Sequence, residues 1–184
     1  MTALIIILIV IVVLALAGIL LYNGLIRRRN QVENAWAQID VQLKRRLDLI
    51  PNLVETVKAY AKHERETLDA VIEARNRAMA APSTPNAQAD ADTQVTGALR
   101  QLFALSEAYP DLKANQNFLA LQEELSATEG RVAYARQFYN DSVLTYNTKI
   151  DQFPTVFFAR MLNFGRREYF EADESARQAP KLEF

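Results

Sequence analysis

RRLDLIPNLVETV, residues 45–57, places a proline inside an apolar repeat that looks helical on both sides of it. Within a helix Pro51 has no N–H to donate and crowds the carbonyl of Leu47, at a cost of about 3 kcal/mol. One architecture is a single helix kinked at Pro51. The other ends a helix there and starts a second, with Asp48 as its N-cap and Pro51 in its first turn, where proline is tolerated. The surrounding stripe bears on the choice. Val32, Trp36, Ile39, Leu43, Leu47, Ile50, Val54, Val57, Ala61, Glu64, Leu68, Val71 and Arg75 recur at alternating steps of three and four, with one local stutter at Ile39, Leu43 and Leu47. That spacing is the seam of a helix packed lengthwise on others. A loop between separate helices need not preserve phase, so the reading is one kinked helix from Val32 to Arg75.

Upstream, Leu4, Ile5, Ile6, Ile7, Leu8, Ile9, Val10, Ile11, Val12, Val13, Leu14, Ala15, Leu16, Ala17, Gly18, Ile19, Leu20 and Leu21 form an unbroken apolar run. At roughly 1.5 Å per residue it nearly spans a hydrocarbon core of about 30 Å. A cleaved signal peptide would need a basic start, a shorter apolar core and a small-residue cleavage site. Met1, Thr2 and Ala3 carry no charged side chain. An uncleaved anchor is expected. Arg27, Arg28 and Arg29 follow it, so the positive-inside rule puts the N-terminus outside and the rest in the cytoplasm.

Downstream, the expected domain runs over 30–154. Ala80 to Gln94, with two prolines and small polar residues, reads as an exposed loop. A helix is expected over Thr93–Ala108, interrupted by Tyr109-Pro110-Asp111. Another is expected over Asn115–Gln152, with the stripe Phe118, Gln122, Leu125, Glu129, Val132, Arg136, Tyr139, Val143, Tyr146, Ile150, Phe153. Pro154 closes it. Residues 155–184 form an aromatic tail interspersed with Arg160, Arg166 and Arg167. It could cap the bundle, lie at the membrane interface or bind a partner. The fold class is therefore all-α: a transmembrane helix followed by an elongated antiparallel bundle of about four helices.

The composition narrows function. With 21 basic and 22 acidic residues, no nucleic-acid partner is expected. There is no cysteine and a single histidine, His63, which leaves thiolate chemistry and a His-Glu-x-x-His zinc site without ligands. No phosphate loop, dinucleotide fingerprint or nucleophile elbow occurs. Neither catalytic residue, cofactor nor metal is expected. Glu64, Arg75, Glu129 and Arg136 fall on or beside the stripes, where ion pairs that set helix register are the expectation and a proton relay the rival. Tyr139, Asn140, Tyr146 and Asn147 share one side of a helix and are expected to make buried tyrosine contacts and interhelical hydrogen bonds.

Two long blocks resemble the LemA family of bacterial membrane proteins. They are VENAWAQIDVQLKRRLDLIPNLVETVKAYAKHE, residues 32–64, and AYPDLKANQNFLALQEELSATEGRVAYARQFYNDSVLTYNTKIDQFP, residues 108–154, preceded by one membrane segment and YNGL. The resemblance implies a single-pass protein of the bacterial cytoplasmic membrane, with its N-terminus outside and a cytoplasmic helical bundle. It implies an association with magnetosome membranes in one branch and a TPM-domain membrane protein as a partner. It supplies no catalytic residue. The expected function is a non-enzymatic, self-associating membrane scaffold. The rival is a membrane-organising protein that works through oligomerisation and the aromatic-basic tail.

Overall fold

The computed structural model describes residues 1–170. The order is α1 (Thr2–Tyr60), α2 (Arg65–Ala80), α3 (Pro85–Ser106), α4 (Pro110–Lys113), α5 (Gln116–Asp151) and α6 (Thr155–Met161), with no strand among the described residues. The expected all-α class holds. Among the described residues there are six helices: the anchor and the first bundle helix are one continuous α1, and Pro110 and Pro154 open or precede the two short helices α4 and α6. The chain forms two compact units. One comprises 1–37 and 137–168; the other comprises 38–136 together with 169–170 of the described chain. α1 and α5 contribute residues to both.

In the second unit α1 runs through Pro51 without a break, which removes the two-helix alternative. The carbonyl that Pro51 cannot serve is that of Leu47. Arg75, on α2, donates its Nε–H to that same oxygen at 3.0 Å. A charged donor from a neighbouring helix thus replaces the missing ladder bond, and the ring of Pro51 itself lies exposed.

The expectation of one helix to Arg75 is overturned. α1 stops at Tyr60, a turn occupies 61–64, and α2 starts at Arg65. The stripe stays in phase across this corner because Ala61 is buried within it and Glu64 occupies the N-cap position of α2. The Tyr109 hydroxyl donates to Glu64 Oε1 at 3.1 Å. The expected loop over 80–94 is overturned as well. Only 81–84 link the helices, and α3 begins at Pro85 rather than Thr93. Pro85 occupies the first turn, where its missing N–H costs nothing. The alanine-rich stretch that follows turns Ala89, Ala91 and Asp92 inward.

The core of this unit gathers Ile50, Leu53 and Val57 of α1, Leu68 and Val71 of α2, Val95, Leu99 and Leu102 of α3, Leu112 of α4, and Phe118 and Leu125 of α5. α5 is capped by Asn115, whose Oδ1 accepts the Phe118 N–H at 3.0 Å.

In the first unit the anchor residues Leu4 to Leu20 are broadly exposed, whereas Leu25 is fully buried. Burial of the α5 stripe resumes with Tyr139, Val143, Tyr146 and Ile150, but Phe153, expected on that stripe, lies exposed beyond the end of the helix. α6 ends in a Schellman motif. Asn163 takes the left-handed conformation at φ 55°, its N–H bonds to the Arg160 carbonyl at 3.4 Å, and the Phe164 N–H bonds to the Ala159 carbonyl at 2.9 Å. The chain then runs without regular structure to Phe170. The rest of the expected tail, 171–184, lies outside the described residues.

Candidate functional site

The most organised polar arrangement of the first unit joins α5 to the segment after α6. Tyr139 donates its hydroxyl to the Glu168 carbonyl at 2.9 Å. Tyr146 donates to the Gly165 carbonyl at 3.0 Å. Asn147 donates from Nδ2 to the Arg167 carbonyl and accepts the Arg167 N–H at Oδ1, both at 2.9 Å. Tyr146 and its neighbour Asn147 lie about two helical turns beyond Tyr139 on α5, so the helix grips the strap at residues 165, 167 and 168. Tyr139, Tyr146 and Asn147, three of the four residues expected to make such bonds, make them here. Their partners are the backbone of the strap rather than another helix, because the strap has no ladder of its own and its carbonyls and N–H groups need partners. Burial pushes both tyrosine hydroxyls above the ordinary range, while the Arg167 charge acts in the opposite direction. Trp36 is half-buried, its ring centroid 5.5 Å from that of Tyr139. Asn140 is half-buried beside them and engaged.

The second unit holds a buried charge cluster. Arg46, 3% exposed, donates from Nη1 to Asp92 Oδ1 at 2.6 Å; Asp92 is 7% exposed. The same nitrogen reaches Thr96 Oγ1 at 3.0 Å, and Arg46 Nη2 lies 3.7 Å from Glu129 Oε2. Arg136 pairs with the other Asp92 oxygen, and its guanidinium carbon stands 4.7 Å above the Phe170 ring. Arg136 and Glu129 therefore do meet in ion pairs, but through Arg46 and Asp92. Glu64 and Arg75 serve other partners, Tyr109 and the Leu47 carbonyl.

Arg46 and Asp92 escaped the sequence reading. A signal for Arg46 was present: the stutter at Ile39, Leu43 and Leu47 vanishes once Arg46 takes the seam. Ile39, Leu43, Arg46, Ile50, Leu53 and Val57 are buried in strict alternation of four and three, with Val54 buried beside them. The chemistry of the cluster is balanced pairing. Its carboxylates are tied to guanidinium groups. Among the described residues no group of His, Cys, Asp or Glu could hold a metal ion.

The profile of the LemA family matches residues 35–184, a span that contains the strap, the charge cluster and the Leu47–Arg75 hydrogen bond. The chain belongs to the LemA family. It is 27% identical over 155 residues to protein LemA of Metamycoplasma hominis, covering 84% of this chain and 71% of that one. It is 33% identical over 81 residues to magnetosome protein MamQ 2 of Paramagnetospirillum magneticum, covering 44% of this chain and 30% of that protein. With magnetosome protein MamQ of Magnetospirillum gryphiswaldense it shares 34% over 80 residues, 44% of this chain and 29% of the other. The chain thus spans under a third of the magnetosome proteins it matches.

The N-terminal helix of this LemA-family chain is long and apolar enough to cross a membrane, and none of its apolar window is buried. Together with family membership, this makes it a membrane-associated protein. The second unit carries a further feature. A groove of about 490 Å³ is lined by Gln38, Val41 and Gln42 of α1 and by Gly130, Arg131 and Tyr134 of α5. Val41 and Tyr134 are both strongly exposed. Gln42 Oε1 is buried there without a hydrogen-bond partner.

Proposed function

We propose that this LemA-family protein is a non-enzymatic, membrane-anchored helical scaffold that self-associates through the groove between α1 and α5. The groove is the observation that carries the reading. Val41 and Tyr134 leave apolar bulk in water outside the anchor, Gly130 leaves room for a knob between them, and the orphan Gln42 oxygen waits for a donor. The charged groups elsewhere in the bundle hold helices together, which suits a scaffold. Arg27 to Arg29 support a cytoplasmic position for the helical domain. A TPM-domain membrane protein is the proposed hetero-partner, competing for or joining the same assembly.

Mass photometry and chemical crosslinking of the full chain in detergent test this. The expected result is an oligomer that Val41→Glu with Tyr134→Glu converts to monomer. A monomeric wild type, or an oligomer untouched by both changes, overturns it. A second reading, membrane organisation through the tail, is favoured by the exposed aromatic face of α6.

A further inference from the structure

We infer that residues 153–167 form a second membrane-embedded element, with α6 in the bilayer surface and an adjoining arginine pocket that seats the phosphate of an anionic phospholipid. The inference rests on the anchor reading and is independent of self-association.

Depth is the first argument. Gly18 belongs to the apolar run, and Phe158 Cε1 lies 3.6 Å from where a Cβ on Gly18 would stand. Four residues further on, Tyr22 meets the Phe164 ring edge-on at 6.2 Å. If Leu4–Leu21 fills the hydrocarbon core, Gly18 sits about 5 Å inside its edge. α6 leans on α1 at that level, so whatever solvent surrounds Gly18 also surrounds α6.

The faces of α6 fit that position. Thr155 and Ala159, one turn apart, are buried. Phe157 and Met161, also one turn apart, point away at 65% and 69% exposure, and Phe153 adds a ring at 81%. The Phe153 and Phe157 rings meet edge-on at 6.0 Å. Such a cluster is unfavourable in water and at home at the acyl–headgroup boundary, where aromatic side chains concentrate. Because the patch continues the lipid-facing surface of the anchor, its occupant is lipid.

The Schellman turn at Asn163 then leads the chain away from α6 and past a pocket of about 330 Å³ lined by Arg29, Tyr146, Asn163, Gly165, Arg166 and Arg167. Arg29 stands about two helical turns beyond Leu21, within reach of the phosphate layer for a side chain that extends back along the helix. The carboxylates nearby are Glu33, which pairs with Arg29 at 3.0 Å and Arg167 at 3.1 Å, and Asp151, which pairs with Arg166 at 2.8 Å. These pairs are exposed and weak enough for a phosphate to compete. Arg27 and Arg160 have no carboxylate partner among the described residues, so positive charge is in excess where the headgroups lie.

The chain has no cysteine, so single-cysteine spin labels can be placed in the full protein, one copy per nanodisc. Labels at Phe157→Cys and Met161→Cys should favour oxygen over a nickel chelate as collision partner. That is the sign expected for Leu14→Cys in the anchor and the reverse of that for Tyr134→Cys. Water-like readings at 157 and 161 overturn the membrane position. Nanodiscs of phosphatidylcholine mixed with phosphatidylglycerol should release protein that retains phosphatidylglycerol in native mass spectrometry. Retention should fall about fivefold for each of Arg29→Gln and Arg166→Gln. Equal retention of the two lipids overturns the phosphate assignment. Displacement by inorganic phosphate alone overturns the lipid source. The Val41→Glu, Tyr134→Glu protein should keep both readouts, so loss of self-association and loss of this site are separable.

Discussion

Replacing Pro51 by alanine and Arg75 by leucine, singly and together, tests whether the Leu47 carbonyl links them. In the wild type that oxygen has no ladder donor and takes the Arg75 Nε–H at 3.0 Å. A hydrogen bond to a charged group contributes about 1.5–3 kcal/mol, and the partial exposure of Leu47 lowers this to about 1–2 kcal/mol for Arg75→Leu. Pro51→Ala supplies the missing N–H and removes the ring clash, so it should stabilise by about 1–2 kcal/mol. In that background the carbonyl already has a donor, and Arg75→Leu should cost only a few tenths of a kcal/mol. The predicted coupling is therefore about 1 kcal/mol, well above the few tenths seen for independent sites. Urea denaturation of the full chain in detergent, followed by circular dichroism, measures the cycle. Additive effects would refute the reasoning, since Arg75 would then act on α1 without reference to the proline. Destabilisation by Pro51→Ala would refute it too.

Asp92→Leu leaves Arg46 buried without its main counter-charge and should cost about 3–5 kcal/mol in the same assay, whereas adding Arg46→Met should recover most of the loss. Asn147→Leu keeps the branching and number of side-chain heavy atoms but strips both bonds to Arg167. At about 1 kcal/mol or more per bond, hydrogen exchange of the Arg167 N–H should rise by roughly thirtyfold or more. Tyr139 and Tyr146 hold their protons more tightly folded than unfolded, so their contribution is complete below pH about 10 and disappears as pH rises through the raised folded values. Phenolate absorbance should therefore rise together with opening of the strap at alkaline pH, and Tyr139→Phe with Tyr146→Phe should abolish that coupling.

The long helices were legible because burial repeats every three or four residues, and the anchor because nothing charged interrupts it. What misled was local punctuation. Pro82 and Pro85 read as loop, yet Pro85 at a helix start loses nothing, and the small residues after it pack inward. Conversely, the turn at 61–64 was invisible because Ala61 and Glu64 sit in phase with residues on either side. Phase continuity is what a corner also needs when both helices feed one core. Arg46 and Asp92 were hidden for a different reason. Their pairing spans 46 positions, and no local pattern says which charge will meet which. Tyr139, Tyr146 and Asn147 showed their importance through spacing, but an extended partner leaves no periodic trace.

The strap also has a consequence for how such a chain can drift over generations. Tyr139, Tyr146 and Asn147 recognise only peptide groups, those of residues 165, 167 and 168. The grip itself does not depend on the side chains of residues 165–168, whereas a single inserted or deleted residue between Asn163 and Gly165 would slide every one of these carbonyls past its donor. The segment is measured by length rather than by letter. The left-handed Asn163 is the zero mark from which that length is counted.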